Sequence, residues 1–399
     1  MTENQSPNAA GSALRCHICG EAAVEPLPGY EKFHRVTSDC KPWSTAGKLC
    51  ICHACGTVQS LTDRAWQDEV TRIYQAYSIY HQSEGSEQAV FDQTHGIAAS
   101  RSERILGHLS AGVPLVTKGR LLDVGCGNGA LLQSFHRLMP QWSLAGTELD
   151  SRYASQVESI GNVEAFYTCD PEHVPGAFDL VTMVHVLEHI ISPRHWLDIL
   201  WKKLKIGRLI LIEVPDHLQN PFELLIADHC THFSIETLTN LIESAGYRIV
   251  VAAADWVPKE LTVVAKKTTK LPVTRKLKAK ALLDSTVVKG LRWLEAVVAV
   301  ARECSARGKF GLFGTSIAGT WLFGELGERV SFFVDEDPQR VGKTYLDRPI
   351  YHPNHVPDGS HVFLALPTIL AESVQGRVAR PGVTYHLPPS NEYSNFSGS

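Results

Sequence analysis

No run of apolar residues reaches the length of a membrane-spanning helix, and the opening Met-Thr-Glu-Asn-Gln-Ser-Pro has neither a basic region nor an apolar core behind it. No transmembrane segment and no secretion signal are therefore expected, and residues 1–12 read as a disordered tail on a cytoplasmic protein. An excess of positive charge is missing too. The 38 Lys and Arg against 42 Asp and Glu give a formal charge of −4, so nucleic acid is not expected as a partner. Nor are the cysteines spread as a disulfide network would spread them. Six of the ten precede residue 60, which points to a local metal site, while Cys126, Cys169, Cys230 and Cys304 are scattered. What remains is an ordinary globular composition, 44% hydrophobic and 20% charged over 399 residues, long enough for two or three domains.

Cys16-His-Ile-Cys19-Gly and Cys52-His-Ala-Cys55-Gly are two C-x-x-C pairs, each followed by a glycine that permits a tight turn around a metal. Four thiolates suit tetrahedral zinc, and a closed site of this kind leaves no open position, so the ion is expected to be structural. The 32 intervening residues exceed the usual zinc-ribbon separation and imply an elaborated loop. Cys40 and Cys50 are spare thiols that could replace a ligand. The module spans 13–60 and is too small to fold without its staple.

Residues 61–118 read as helices, with Trp66, Val70, Ile73, Tyr74 and Tyr77 at helical spacing, a polar break, and a second helix from 91 to 109. Tyr74, Tyr77 and Tyr80 either pack rings on the core or project hydroxyls into a pocket. Strands and helices then alternate across 119–268. Strands are expected over 121–124, 142–147, 163–167, 178–184, 208–214, 247–253 and 261–265, the pattern of a doubly wound sheet. Residues 269–308 begin with Lys270, Arg275, Lys276, Lys278 and Lys280 and continue at helical spacing, which reads as a connecting helix with a solvated basic face. A second α/β unit, 309–390, opens with a glycine turn from Gly314 to Gly319, followed by a strand ending at Asp335.

The first core strand runs into Asp123-Val-Gly125-Cys126-Gly127-Asn128-Gly129-Ala130, a turn that lets backbone approach a ligand and then opens a helix. The second strand ends at Glu148, placed to accept both hydroxyls of a ribose, and Asp170 follows the third strand, where it could accept from an adenine amine. Two cofactors fit. Gly125-x-Gly127-x-x-Ala130 satisfies the relaxed dinucleotide fingerprint, so a nicotinamide is one. The other follows from Asp123 two residues before the first glycine and from Gly129 as the third: this pattern resembles motif I of class I S-adenosylmethionine methyltransferases. That resemblance implies a Rossmann-like seven-stranded sheet with an antiparallel last strand, and S-adenosylmethionine held by Asp123, Gly125, Cys126, Gly127, Asn128, Gly129, Glu148, Asp170 and His185.

The order of parts, a zinc module, this core and a C-terminal Rossmann-like unit, resembles the nucleotide-sugar C-methyltransferases. The resemblance implies a nucleotide-linked sugar as substrate, with Tyr77 and Tyr80 reaching it. That family carries Tyr-His-Glu-His after the fifth strand, its last histidine serving as base. Here the segment reads Ile226-Ala-Asp228-His229-Cys-Thr-His232-Phe-Ser234, which puts the base on His229, with Asp228 able to orient it. Its C-terminal Asp-x-Asn-Pro-x-Lys-x-Gly is matched by Asp335-Glu-Asp-Pro338-Gln-Arg-Val-Gly342, where the family's domain helps hold the nucleotide. His185, at the end of the fourth strand, is the second candidate base, and Glu188 and His189 are candidates for substrate contact. Asp228, His229 and His232 could instead converge on a catalytic metal. The expected function is methyl transfer to a sugar or related polar metabolite. The alternatives are O- or N-methylation of another small molecule, or a partner protein that keeps the cofactor fold without chemistry.

Overall fold

The computed structural model describes residues 14–77, 87, 89–91, 98–269 and 281–390. The expected tail over 1–12, Tyr80 and the basic stretch 270–280 lie outside these. Seven core strands run Arg120–Val124, Ser143–Thr147, Val163–Tyr167, Phe178–Val184, Leu204–Pro215, Tyr247–Ala253 and Glu260–Lys267. Numbered in chain order, they lie 3-2-1-4-5-7-6. The first five pair in parallel and the seventh pairs antiparallel with both its neighbours. This is the Rossmann-like methyltransferase sheet.

The sheet is buried on both faces, and residue alternation sorts the two cores. Leu122, Val181, Met183, Ile210 and Ile212 pack with Leu197, Leu200, Leu238 and Leu241 on one side. Leu121, Leu144, Leu180 and Leu211 pack with Ile105, Leu109, Leu132 and Phe135 on the other. Continuous apolar strands suit that double cover.

One local expectation changes. The chain over 91–109 is not one helix: Ala89–Phe91 pairs antiparallel with Ala98–Ser100, and the helix is Arg101–Gly112. Ser100 fixes its start by a capping box with Glu103, which the apolar periodicity upstream had obscured. The helix Ala281–Ser305 buries its apolar positions Val287, Leu291, Trp293, Leu294, Val297 and Ala301 in a shared core, and the basic stretch expected to be solvated lies outside the described residues.

That core joins the two ends of the chain. Leu27, Tyr30, Phe33 and Val36 of the N-terminal module meet Phe222, Leu224 and Ile226 of the loop after the fifth strand, together with Trp321, Leu322 and Phe333 of the C-terminal unit. The C-terminal unit is itself a parallel sheet. Its strands Phe310–Phe313, Phe332–Val334, Arg348–Tyr351, Ser360–Leu364 and Val383–His386 lie in the order 3-2-1-4-5, with Thr344–Tyr345 antiparallel at one edge. A Cβ at Gly319 would stand 2.0 Å from the Gly314 carbonyl oxygen, so the helix Ile317–Leu326 seats on its turn only with glycine there.

Candidate functional site

The two C-x-x-C turns face each other at the N-terminal sheet. Cys16 Sγ lies 3.4 Å from Cys55 Sγ, Cys19 Sγ lies 3.6 Å from Cys52 Sγ, and the four sulfurs form one cluster. Tetrahedral zinc–sulfur bonds of about 2.3 Å require sulfurs about 3.8 Å apart, so the donor set fits zinc. Gly20 and Gly56 take φ of +75° and +77° and close the turns. Their N–H groups donate to the Cys16 and Cys52 carbonyls. Neither spare thiol joins the cluster: burial pushes Cys50 up to about 11 and Cys40 up to about 12.

Two cavities adjoin at the carboxyl ends of the core strands, one of about 220 Å³ and one of about 340 Å³. Both are lined by Tyr77, Gly125, His185 and His189. The smaller contains Glu148 and Asp170, the acids that follow the second and third strands. Glu148 Oε2 accepts from the Gly127 amide at 2.9 Å, tying the second strand's end to the glycine turn. Asp123, Cys126, Gly127 and Asn128 line the larger cavity. Asp123 accepts from Thr182 Oγ1 at 2.7 Å, and burial raises its carboxyl to about 7. Gly129, at φ +85°, caps the helix Ala130–Leu138 and lines neither cavity; a Cβ there would meet Ile160 Cδ1 at 2.6 Å.

Among the glycines of this turn, Gly125 carries the tightest requirement. Its φ is +70° and a Cβ would meet Val186 Cγ2 at 2.4 Å, at the boundary of both cavities. Gly125→Ala is expected to weaken S-adenosylhomocysteine binding at least about tenfold, since left-handed strain alone costs about 1–3 kcal/mol. Calorimetric titration checks it, and an affinity within about twofold of the parent would sink it.

The larger cavity is walled by the segment around His229. His229 is buried, and its Nδ1–H donates to Glu223 Oε1 at 2.6 Å, while His232 Nδ1 lies 3.3 Å from the same oxygen. Burial pulls the His229 imidazole down, but the Glu223 carboxylate outweighs it and holds the ring up at about 9. Glu223 is held below the ordinary carboxylate range, because these imidazoles offset its burial.

The partner of His229 is thus Glu223, not the expected Asp228. Asp228 turns the other way, accepting from Ser38 N at 2.8 Å and from Ser38 Oγ at 2.5 Å. It also faces His189, whose Nδ1 lies 3.1 Å from the Asp228 carbonyl oxygen and 3.6 Å from Oδ2. The expected convergence of Asp228, His229 and His232 on one ion is not formed either; the third member of that cluster is Glu223. A lone acid inside the apolar run Phe222-Glu223-Leu-Leu-Ile was the available signal for it.

His185 has φ +55° and sits between Glu188, 3.3 Å from Nδ1, and Glu260, 3.2 Å from Nε2. Burial lowers it, but Glu260 and Glu188 prevail and raise it to about 10, so it reads as one member of an ion network with Arg101 and Glu213. Tyr77 lies with its hydroxyl 3.5 Å from Ser38 Oγ, and Tyr74 places its hydroxyl oxygen 3.0 Å from His189 Nδ1. At its far end the larger cavity reaches Ser316, Ile317, Ala318 and Arg340 of the C-terminal unit.

Residues 96–252 match the family described as "Methyltransferase domain". Among curated proteins, the chain is similar to the mitochondrial ubiquinone biosynthesis O-methyltransferase of Schizosaccharomyces pombe, 35% identical over 100 residues, which is 23% of this chain and 36% of that protein. It is also 35% identical over 97 residues to the ubiquinone biosynthesis O-methyltransferase of Ralstonia nicotianae, 22% of this chain and 39% of that protein. The matches thus span well under half the length of these relatives. Among solved structures, an S-adenosylmethionine-dependent methyltransferase from Clostridium acetobutylicum aligns with TM-score 0.35 and 13% identity over 51% of this chain and 98% of that one. Human N-acetylserotonin methyltransferase in complex with SAM aligns with TM-score 0.35 and 20% identity over 42% of this chain and 51% of that one. No helix among the described residues is long and apolar enough to cross a membrane.

Proposed function

We propose that this chain, whose residues 96–252 match a methyltransferase domain, transfers a methyl group from S-adenosylmethionine to a polar small molecule, in the finer reading a nucleotide-linked sugar. The observation that carries the proposal is the junction of the two cavities at Tyr77, Gly125, His185 and His189. The bound cofactor supplies an already activated methyl group. Glu148 and Asp170 would hold its nucleoside, and Asp123 to Asn128 its amino-acid part, with Gly129 shaping the turn.

The chain's remaining tasks are alignment, worth about 7–11 kcal/mol, and removal of one proton, worth about 3–5 kcal/mol. A histidine general base serves the second, and His229 and His189 both stand at the acceptor cavity. The sugar reading draws on the larger cavity's reach to the start of the helix Ile317–Leu326, where backbone N–H groups favour a diphosphate beside an Arg340 that is paired with Asp335 and Asp337. Ile226 forms part of the larger cavity's wall where the resembling family has a tyrosine; among the described residues Tyr77 lines both cavities, and Tyr74 and Tyr153 line the smaller. The Cys16, Cys19, Cys52 and Cys55 cluster would hold a structural zinc.

Calorimetric titration with S-adenosylhomocysteine, in parallel with thymidine and guanosine diphosphates, tests both levels. Cofactor and nucleotide binding together support the sugar reading. Cofactor binding alone leaves O- or N-methylation of another small molecule or a non-catalytic role, and no cofactor binding overturns the proposal.

A further inference from the structure

We infer that His189 is the proton acceptor of the reaction, and that His229 remains an imidazolium which steadies the acceptor's negative charge. The inference rests on the methyl-transfer reading above. It concerns which of two adjacent rings does which task.

Position is the first argument. His189 lines both cavities, whereas His229 lines only the larger one. With the nucleoside in the smaller cavity and the amino-acid part in the larger, the cofactor's sulfur and its methyl group would stand at the boundary that His189 shares with Tyr77, Gly125 and His185. The atom that loses its proton must lie at that boundary, within hydrogen-bond reach of the base.

The second argument is the tautomer. A carbonyl oxygen can only accept, so the Asp228 carbonyl 3.1 Å from His189 Nδ1 requires the hydrogen to be on Nδ1. The Tyr74 hydroxyl oxygen, 3.0 Å from the same nitrogen, can share it. This leaves a bare lone pair on Nε2, which has no hydrogen-bond partner among the described residues. Asp228 is fixed in turn by the Ser38 amide and hydroxyl. Asp228 is therefore a positioning residue, and the ring it positions is His189.

The third argument is charge. The rings of His189 and His229 meet edge to face with centroids 4.5 Å apart, so two imidazoliums there would repel. The groups facing His229 are Glu223, Glu188, Asp228, His189 and His232, and Glu223 Oε1 at 2.6 Å makes it the ring that keeps the proton. Facing His189 are Tyr74, Glu188, Asp228 and His229. Burial and the His229 charge outweigh Glu188 and Asp228, and hold His189 below the ordinary imidazole value. A ring already protonated cannot accept a proton. It can donate from Nε2, as a stabiliser of developing negative charge must.

The balance is simple. The bond between the acceptor's nucleophilic atom and its hydrogen breaks, and the proton bonds to His189 Nε2. The freed electron pair forms the bond to the methyl carbon, and the carbon–sulfur pair returns to sulfur, leaving a neutral thioether. The new charge on His189 faces the Asp228 carboxylate.

The test is histidine ¹⁵N NMR on the full chain with S-adenosylhomocysteine bound, titrated across the neutral range, with resonances assigned from His189→Gln and His229→Gln. The expected result is a neutral His189 protonated on Nδ1 at pH 7 and a doubly protonated His229. A neutral His229, or a His189 carrying its hydrogen on Nε2, would overturn the inference. A parallel assay follows S-adenosylhomocysteine formation with thymidine- and guanosine-diphosphate-linked keto sugars as acceptors. His189→Gln should lower kcat by about 10²–10⁴-fold, while His229→Gln keeps an acidic limb and moves it upward, because the charge that held His189 down is gone. A limb near pH 9 that Glu223→Gln moves downward would return the base role to His229. Failure to bind S-adenosylhomocysteine would sink the methyl-transfer reading instead, and the two failures are separable.

Discussion

Replacing Cys52 with serine, or stripping the protein with a strong chelator, is expected to abolish methyl transfer while S-adenosylhomocysteine binding stays within about threefold of the parent. A structural zinc held by these four thiolates would contribute folding free energy outright, on the order of 10 kcal/mol. Its loss should reach the candidate site because the segment 221–234 is bonded to the N-terminal module and to the helix Arg64–Gln75 that follows it. Tyr30 donates to the Leu224 carbonyl at 2.6 Å, the Ala227 amide to the Val36 carbonyl at 2.8 Å, and Trp66 Nε1 to the Ala227 carbonyl at 3.0 Å. Ser60 Oγ donates to the His229 carbonyl at 2.8 Å. Thr231 and His232 then join the module's sheet as its fourth strand, opposite Gln59 and Val58. His17, inside the first knuckle, lies 3.0 Å from Thr231 Oγ1 through its Nδ1. The cofactor turn has its own support in the core sheet. Hydrogen exchange should therefore show 224–232 losing protection in the metal-free protein while 120–130 keeps it. A segment that stays protected after metal removal would refute this coupling.

Glu223→Ala should be among the most destabilising single substitutions. Glu223 is 1% exposed and His232 1%, so truncation strands two buried imidazoles without their shared acceptor. Breaking a buried pair by removing one partner costs about 3–5 kcal/mol. The cost depends on pH with a definite sign. His229 is raised from 6.5 to about 9 in the folded protein, so its contribution is full below 6.5 and disappears as pH rises through about 9. Glu223 is depressed from its ordinary 4.5, so its contribution is present above that value and lost as pH falls below it. The gap between parent and variant should be widest around pH 5–6 and should narrow by pH 9.5. Denaturant unfolding at the two pH values measures it. A gap that is equal at both would show that the pair does not carry the effect.

The sheet was legible because its strands are apolar runs buried on both faces, and the helices between them carry a clear 3.6-residue period. The glycine turn and the cysteine pairs were legible because tight backbone geometry and metal ligation demand particular residues at particular spacings. What escaped is instructive at His229. Its sequence neighbour Asp228 was the natural partner to expect, yet the two side chains diverge, one to Glu223 and the other to Ser38 and His189. Glu223 reaches His229 only because the short helical turn Pro221–Leu225 folds the segment back. The strand Thr231–His232 has two residues, too few for any periodic signal. The helix Ala281–Ser305 showed its period, but which of its faces would be covered depended on elements far away in the chain.

The core shared by the two ends of the chain has a consequence for synthesis. As the polypeptide leaves the ribosome, Leu27, Tyr30, Phe33 and Val36 emerge early, but the residues that cover them, Phe222, Leu224, Trp321 and Phe333, arrive only after most of the chain has been made. The cysteine knuckles can close around an ion at once, whereas the apolar side of the same module must wait exposed. The strand at 231–232 completes its sheet about two-thirds of the way through that wait, just after Phe222 and Leu224. The nascent chain therefore passes through a long interval with an open hydrophobic surface, and sequence separations of this size favour slow folding and demand for chaperones.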